Sequence, residues 1–152
     1  MDEMSLSFPL PDDNLAHKFP VSVKGVILRQ SKAVLLRNYR EEWELPGGKL
    51  ELWETPESCL KREIEEELGL EVQIGPLIDA WVYHIQEGID VLIITYGCYY
   101  EWSKQPTISS EHTQVAFLET DNLEAIDMPD GYRRSIGLWA QWPGSKPPLI
   151  SQ

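Results

Sequence analysis

The chain alternates short apolar runs of strand character with one long helical repeat. Val21–Leu28 and Ala33–Arg37 are rich in β-branched and aliphatic residues, and Arg29–Lys32 between them reads as a hairpin turn. Glu44-Leu45-Pro46-Gly47-Gly48 follows as a Pro-Gly-Gly turn. The period then changes: Leu60, Ile64 and Leu68 recur every four residues and predict one apolar stripe of a helix. Thr55 is a good N-cap, Pro56 suits the first helical position, Glu57 falls in the first turn and Gly69 is a good stop. Glu71–Ile74, Leu77–His84, Asp90–Tyr100 and Val115–Glu119 return to strand character, with Gly88 marking the turn between the second and third of these. Beyond Pro129, the spacing of Ile136, Leu138, Trp139 and Trp142 predicts a terminal helix. Strands joined as hairpins and interleaved with helices predict an α/β fold, with a mixed sheet carrying helices on it.

A chain of 152 residues is long enough for one domain with its own core. Residues 1–19 read as an N-terminal extended arm, 20–142 as the domain and 143–152, with Pro143, Pro147 and Pro148, as a C-terminal tail. Asp2 and Glu3 stand where a signal peptide would be basic, and no run of 18 apolar residues occurs, so the expected setting is cytoplasmic with no membrane span. Cys59 and Cys98 lie far apart without a CxxC, and His17, His84 and His112 lack an HxxxH spacing. A disulfide framework, a cysteine zinc site and a histidine metal site are therefore disfavoured.

The charge adds a sharper point. Twenty-five Asp and Glu against 13 Lys and Arg give a net −12, which opposes binding to nucleic-acid polymers or anionic membranes. Half of that excess lies in Glu51–Glu71, which holds eight glutamates against Lys61 and Arg62. Glu63, Glu66 and Glu67 are mutual neighbours at i, i+3 and i+4, beside the apolar stripe, and like charges at that spacing repel. Such a face is either solvated or holds a cation, and hard carboxylate oxygens suit Mg²⁺ or Mn²⁺ rather than zinc. The Gly47-Gly48 turn just upstream lets backbone groups approach a ligand closely. Arg62, one turn before Glu66, can steady part of the cluster, and Glu65 points to solvent.

Gly48, five residues, Glu54, seven residues, then Arg62-Glu63-Ile64-Glu65-Glu66-Glu67-Leu68-Gly69-Leu70 resembles the Nudix box, the signature of MutT-like hydrolases, in every defined position. Trp43-Glu44-Leu45-Pro46-Gly47-Gly48-Lys49 is similar to the segment that usually leads into the box. The resemblance implies an α/β/α sandwich around a mixed β-sheet and Mg²⁺-dependent hydrolysis of a nucleoside diphosphate linked to another group. It implies Glu63, Glu66 and Glu67 as metal ligands together with the Gly48 carbonyl, one of the glutamates also activating water. It implies Glu54 and Arg62 as a structural pair, and a further catalytic glutamate on a loop before a late strand, for which Glu111 is the best match.

Other residues carry lesser expectations. Arg37, at a strand end, is a candidate phosphate clamp, with Arg40 and Lys49 behind it; a solvated strand end is the rival reading. Trp43, Trp53, Trp81 and Tyr83 are candidates to stack a base or to fill the core. Cys59 is expected to pack the helix, and His112, next to Glu111, is a candidate to help position substrate, with an exposed loop histidine as the commoner reading. The marker proline of ADP-ribose hydrolases, the NADH-type array and the coenzyme A signature are absent, which favours a nucleoside triphosphate, including oxidised or noncanonical ones, over ADP-ribose or a nucleotide sugar. The expected partner is that small nucleotide, and the chain is expected to be a monomer or homodimer. The rivals of another class are a catalytically silent Nudix-like nucleotide-binding module and an acidic protein-interaction surface. Silent relatives usually lose a glutamate of the box, and this chain keeps them all.

Overall fold

The computed structural model describes residues 16–145. Most of the expected arm and tail, residues 1–15 and 146–152, lies outside the described residues. The elements run β1 (Val21–Arg29), β2 (Lys32–Arg37), β3 (Trp43–Glu44), β4 (Gly47–Lys49), α1 (Pro56–Leu68), β5 (Gln73–Gln86), β6 (Ile89–Tyr99), β7 (Gln114–Glu119) and α2 (Asp130–Ala140). The sheet path is β3-β2-β1-β6-β5, with β4 against β1 and β7 against β2. β1 and β6 are parallel and the other pairs antiparallel, so the sheet is mixed.

β1 organises the molecule because its two halves have different partners. Ser22–Lys24 pair with β4, and Leu28–Arg29 pair with β2. The fork opens a gap in the sheet beside Gly47–Gly48. Strand alternation sends Val23 and Ile27 to a core shared with Leu60, Ile64 and Leu68 of α1, and Val26 to a second core shared with Ile136 and Trp139 of α2. The result is an α/β/α sandwich.

Helix α1 begins and ends where its chemistry dictates. Thr55 accepts from the Ser58 amide at 3.1 Å and Ser58 Oγ accepts from the Thr55 amide at 3.2 Å, a reciprocal cap. Gly69 closes the helix at φ 70°, a left-handed conformation that favours glycine. The two strands expected at Glu71–Ile74 and Leu77–His84 form one strand, β5. Pro76 cannot donate to a ladder, but β5 lies at the sheet edge and absorbs it as register shifts around Leu77. The short strands β3 and β4 escaped the sequence pattern because two or three residues carry no period. The turn at Leu123–Ala125 escaped it for the same reason.

Candidate active site

The site forms where the middle of α1 faces the Gly47–Gly48 turn through the fork of the sheet. Gly48 leaves room for a carboxylate against the backbone. A Cβ built on it would lie 2.3 Å from the Glu63 carboxyl carbon, so only glycine lets that carboxylate sit against the backbone. The costlier position is Gly47, where φ is 139° and a Cβ would lie 1.9 Å from the Val23 carbonyl oxygen; Gly47→Ala is expected to lower stability by about 1–3 kcal/mol, read as a shift of the urea unfolding midpoint.

The three helix glutamates have different surroundings. Glu67 is buried, 4% exposed, and accepts from the Gly47 amide at 2.9 Å. Burial pushes its pKa up to about 7 against the pull of Lys24 and the Gly47 amide. Glu63 is largely covered, and its pKa is raised by burial, with the charges of Glu66 and Glu111 adding to the rise. Glu66 is mostly exposed and among the described residues meets only Arg62, at 3.2 Å. Glu111 is exposed on the loop before β7, and its charge reaches Glu63.

Arg62 ties the cluster together. It donates to Glu54 through Nε at 2.6 Å and Nη2 at 3.0 Å, a two-pronged pair, and through Nη1 to Glu63 at 3.1 Å and Glu66. Its bond holds Glu54 well down, at about 2. Glu54 also accepts from the Glu51 amide, so the loop and helix are fastened at one point. The structural pair expected of Glu54 and Arg62 is therefore present as a contact.

Beneath the glutamates lies a buried polar group that the sequence reading passed over. Lys24 is 6% exposed, and its ammonium donates to the Leu45 carbonyl at 3.1 Å. Burial opposes its charge, but Tyr132, Glu44, Glu67 and Glu63 outweigh that and keep it protonated. Burial would raise Glu44 too; Lys24 and His112 instead hold it at about 2. His112 was expected on an exposed loop. It is buried, 2.7 Å from Glu44 Oε2 and 3.8 Å from Glu67, so the loop carrying Glu111 is anchored from below. The signal for Lys24 was there: it is the one charge within the apolar run Val21–Leu28.

The lesser candidates divide. Arg37 is about one third exposed, 3.4 Å from Glu41 and 5.8 Å from the Trp43 ring centre, with its buried Nε left without a partner. Thr113 donates to the Arg37 carbonyl, which sets this strand end beside the Glu111 loop. Trp81 and Tyr83 pack with Tyr132 against α2, whereas Trp53 is fully exposed. Arg40 pairs with Glu42 at 3.3 Å. Cys59 is buried in the core with its thiol pushed up to about 12 by burial, which leaves it the packing role expected.

The donor set suits a hard divalent cation. Among the described residues no three acidic, histidine or cysteine side chains are already placed to hold a metal ion; Arg62 lies between Glu63 and Glu66, and Glu67 turns to Gly47. The fit rests on the cradle that a Gly48 Cβ would fill and on crowded carboxylates raised by burial, whose repulsion a cation would offset. All the candidate donors are oxygens, the preference of Mg²⁺ and Mn²⁺.

A family model described as the NUDIX domain matches residues 18–138. A MutT-like protein from Streptomyces ambofaciens is 38% identical over 105 residues, covering 68% of this chain and 66% of that protein. An 8-oxo-dGTP diphosphatase from Proteus vulgaris is 34% identical over 76 residues, covering 50% of this chain and 66% of that protein. The matches thus span just under two thirds of the length of these two relatives. The crystal structure of a MutT NUDIX hydrolase from Burkholderia pseudomallei superposes with a TM-score of 0.70 at 24% identity, covering 80% of this chain and 98% of that one. No helix among the described residues is long and apolar enough to cross a membrane.

Proposed function

The chain belongs to the NUDIX family, and from that premise we propose that it is a divalent-metal-dependent pyrophosphohydrolase that cleaves a nucleoside diphosphate linked to another moiety. Water attacks phosphorus directly, and nucleoside triphosphates, including oxidised or noncanonical ones, are the preferred substrates. The observation that carries this reading is Glu67 on the Gly47 amide and Glu63 against Gly48, both partly or fully desolvated, with Glu66 beside them on the same helix and tied to Glu63 through Arg62. The relatives named as 8-oxo-dGTP diphosphatases support the substrate class.

In this reading Glu63, Glu66, Glu67 and the Gly48 carbonyl hold Mg²⁺ or Mn²⁺. Bound there, such ions neutralise phosphate charge and make water nucleophilic near neutral pH. One of these glutamates also takes the proton of the attacking water. Glu111 joins the catalytic carboxylates from the opposite loop. Arg37 clamps a substrate phosphate from its strand end, where its side chain is about one third exposed. Glu54 and Arg62 keep loop and helix in register. The substrate is a small nucleotide in the cytoplasm, and the chain's remaining acidity keeps polymeric nucleic acid away.

The test is a phosphate- and pyrophosphate-release screen with Mg²⁺ and Mn²⁺ over 8-oxo-dGTP, other nucleoside triphosphates, ADP-ribose and nucleotide sugars. Turnover of a triphosphate in ¹⁸O water, with label in the product and none in the enzyme, is the expected result. Metal alone is expected to raise the melting temperature in a concentration-dependent way. Silence on every substrate, or label in the protein, would overturn the reading.

A further inference from the structure

Glu111 differs from the three glutamates of α1 in that neither a helix nor a strand carries it. It sits on the loop of residues 100–113 between β6 and β7. A loop of that length fixes a side chain only where something fastens it. The fastenings come from both walls of the site. Thr107 donates its amide to the Leu68 carbonyl at 2.8 Å, at the end of α1. Thr113 donates its amide to the Arg37 carbonyl at 2.9 Å, at the end of β2. Glu111 lies between these two points, and its charge reaches Glu63.

The second wall continues into the turn at residues 38–42, which is itself stiff. Asn38 is buried, and its Oδ1 accepts from the amides of Arg40 and Glu42. Its backbone closes the same turn twice, donating to the Glu42 carbonyl and accepting from the Glu41 amide, each at 2.9 Å. Glu44 then joins turn to loop from the buried side, with Asn38 Nδ2 on one oxygen and His112 on the other.

Tyr39 joins them from the solvent side. It is 69% exposed, yet its hydroxyl donates to the Ser110 carbonyl at 2.7 Å. That carbonyl belongs to the peptide joining Ser110 to Glu111. The other end of the same peptide, the Glu111 amide, reaches only the Ser109 hydroxyl among the described residues, at 3.4 Å. The phenol is therefore the shorter hold on the backbone that carries Glu111. A ring so exposed gains little from burial, so the bond is what the position offers.

We propose that Tyr39 is a positioning residue for hydrolysis: its hydroxyl holds the Ser110–Glu111 peptide to the 38–42 turn and so keeps Glu111 facing the glutamates of α1. The inference rests on the hydrolase reading above, in which Glu111 is a catalytic carboxylate. Tyr39 acts through Glu111 and touches neither metal nor phosphate.

The test is Tyr39→Phe, alone and combined with Glu111→Gln, in the full chain. Phenylalanine keeps the ring and removes the hydroxyl, and the melting temperature is expected to stay unchanged. On the best substrate of the release screen, kcat is expected to fall about three- to tenfold at an unchanged KM, the effect of one hydrogen bond. In the Glu111→Gln background the same substitution is expected to change kcat by less than about twofold, because the carboxylate it positions is gone. A second readout needs no metal and no substrate: the amides of Glu111 and His112 are expected to exchange with deuterated water about three- to tenfold faster, with Thr107 unchanged. Losses that multiply in the double variant, a raised KM at unchanged kcat, or unaltered exchange would each overturn the role of Tyr39 and leave the hydrolase reading standing. A silent parent, or a Glu111→Gln protein as active as the parent, instead defeats the reading of Glu111 and takes the role of Tyr39 with it.

Discussion

Replacing Glu66 by Gln is expected to reduce hydrolysis by on the order of a thousandfold while leaving the fold intact. Glu66 is the cleanest of the three glutamates to remove. It is mostly exposed and among the described residues bonds only to Arg62, an ion pair of the exposed kind that contributes about 0–1 kcal/mol to stability. Glu67, by contrast, bonds to the Gly47 amide from a buried position, and Glu63 packs on Gly48, so their loss would confuse folding with chemistry. Gln keeps the size of Glu66 and removes the negative charge. A carboxylate that only solvates a helix face would be missed by neither activity nor metal. A carboxylate that holds a cation would be missed by both: kcat falls, and the melting-temperature rise on adding Mg²⁺ shrinks. Initial rates on the best substrate of the release screen, with melting curves with and without Mg²⁺, make the measurement. A variant within tenfold of the parent rate would remove Glu66 from the site. The acidic-surface reading predicts that outcome.

The legibility of this site in the sequence follows from distance along the chain. The carboxylate cluster, the turn and the Glu54–Arg62 pair lie within 20 residues, and helical periodicity alone places Glu63, Glu66 and Glu67 together. The structure then separates them by environment, because the buried stripe of α1 extends far enough to take in Glu67 but not Glu66. Periodicity cannot give that difference; it depends on where Gly47 lies in the forked sheet. Lys24, Glu44 and His112 come from three segments up to 88 residues apart in the chain, and no local pattern links them. His112 illustrates the point. A loop of polar residues predicts exposure, yet Glu44 on β3 draws its imidazole inward. The Pro76 break misled for a related reason. A proline ends a strand only when its amide is needed by a neighbour, and among the described residues β5 is the last strand of the sheet path.

Lys24→Met is expected to lower the unfolding free energy by about 3–5 kcal/mol, the usual consequence of stripping a buried charge of its partner. Methionine matches the length of the lysine stem, so the packing of β1 against Tyr132 is retained and the change is electrostatic. What is lost is the ammonium that Glu44 and Glu67 face and the donor to the Leu45 carbonyl. Two carboxylates then remain buried with His112 and the neutral Asn38 and Gly47 donors to offset them. The Leu45 peptide immediately precedes Pro46-Gly47-Gly48, so the turn that receives Glu67 loses its tether from below. A second substitution separates charge from packing. Glu44→Gln in the Lys24→Met background removes one of the stranded carboxylates, and the pair is expected to be more stable than the sum of the single losses by about 1–3 kcal/mol. Urea unfolding of the four proteins, compared by midpoint and slope, measures the coupling. A purely steric role for Lys24 predicts additive losses. A Lys24→Met protein within about 1 kcal/mol of the parent would show that water or rearrangement supplies the missing charge, and the group would then be a solvated cleft rather than a closed polar floor beneath the glutamates.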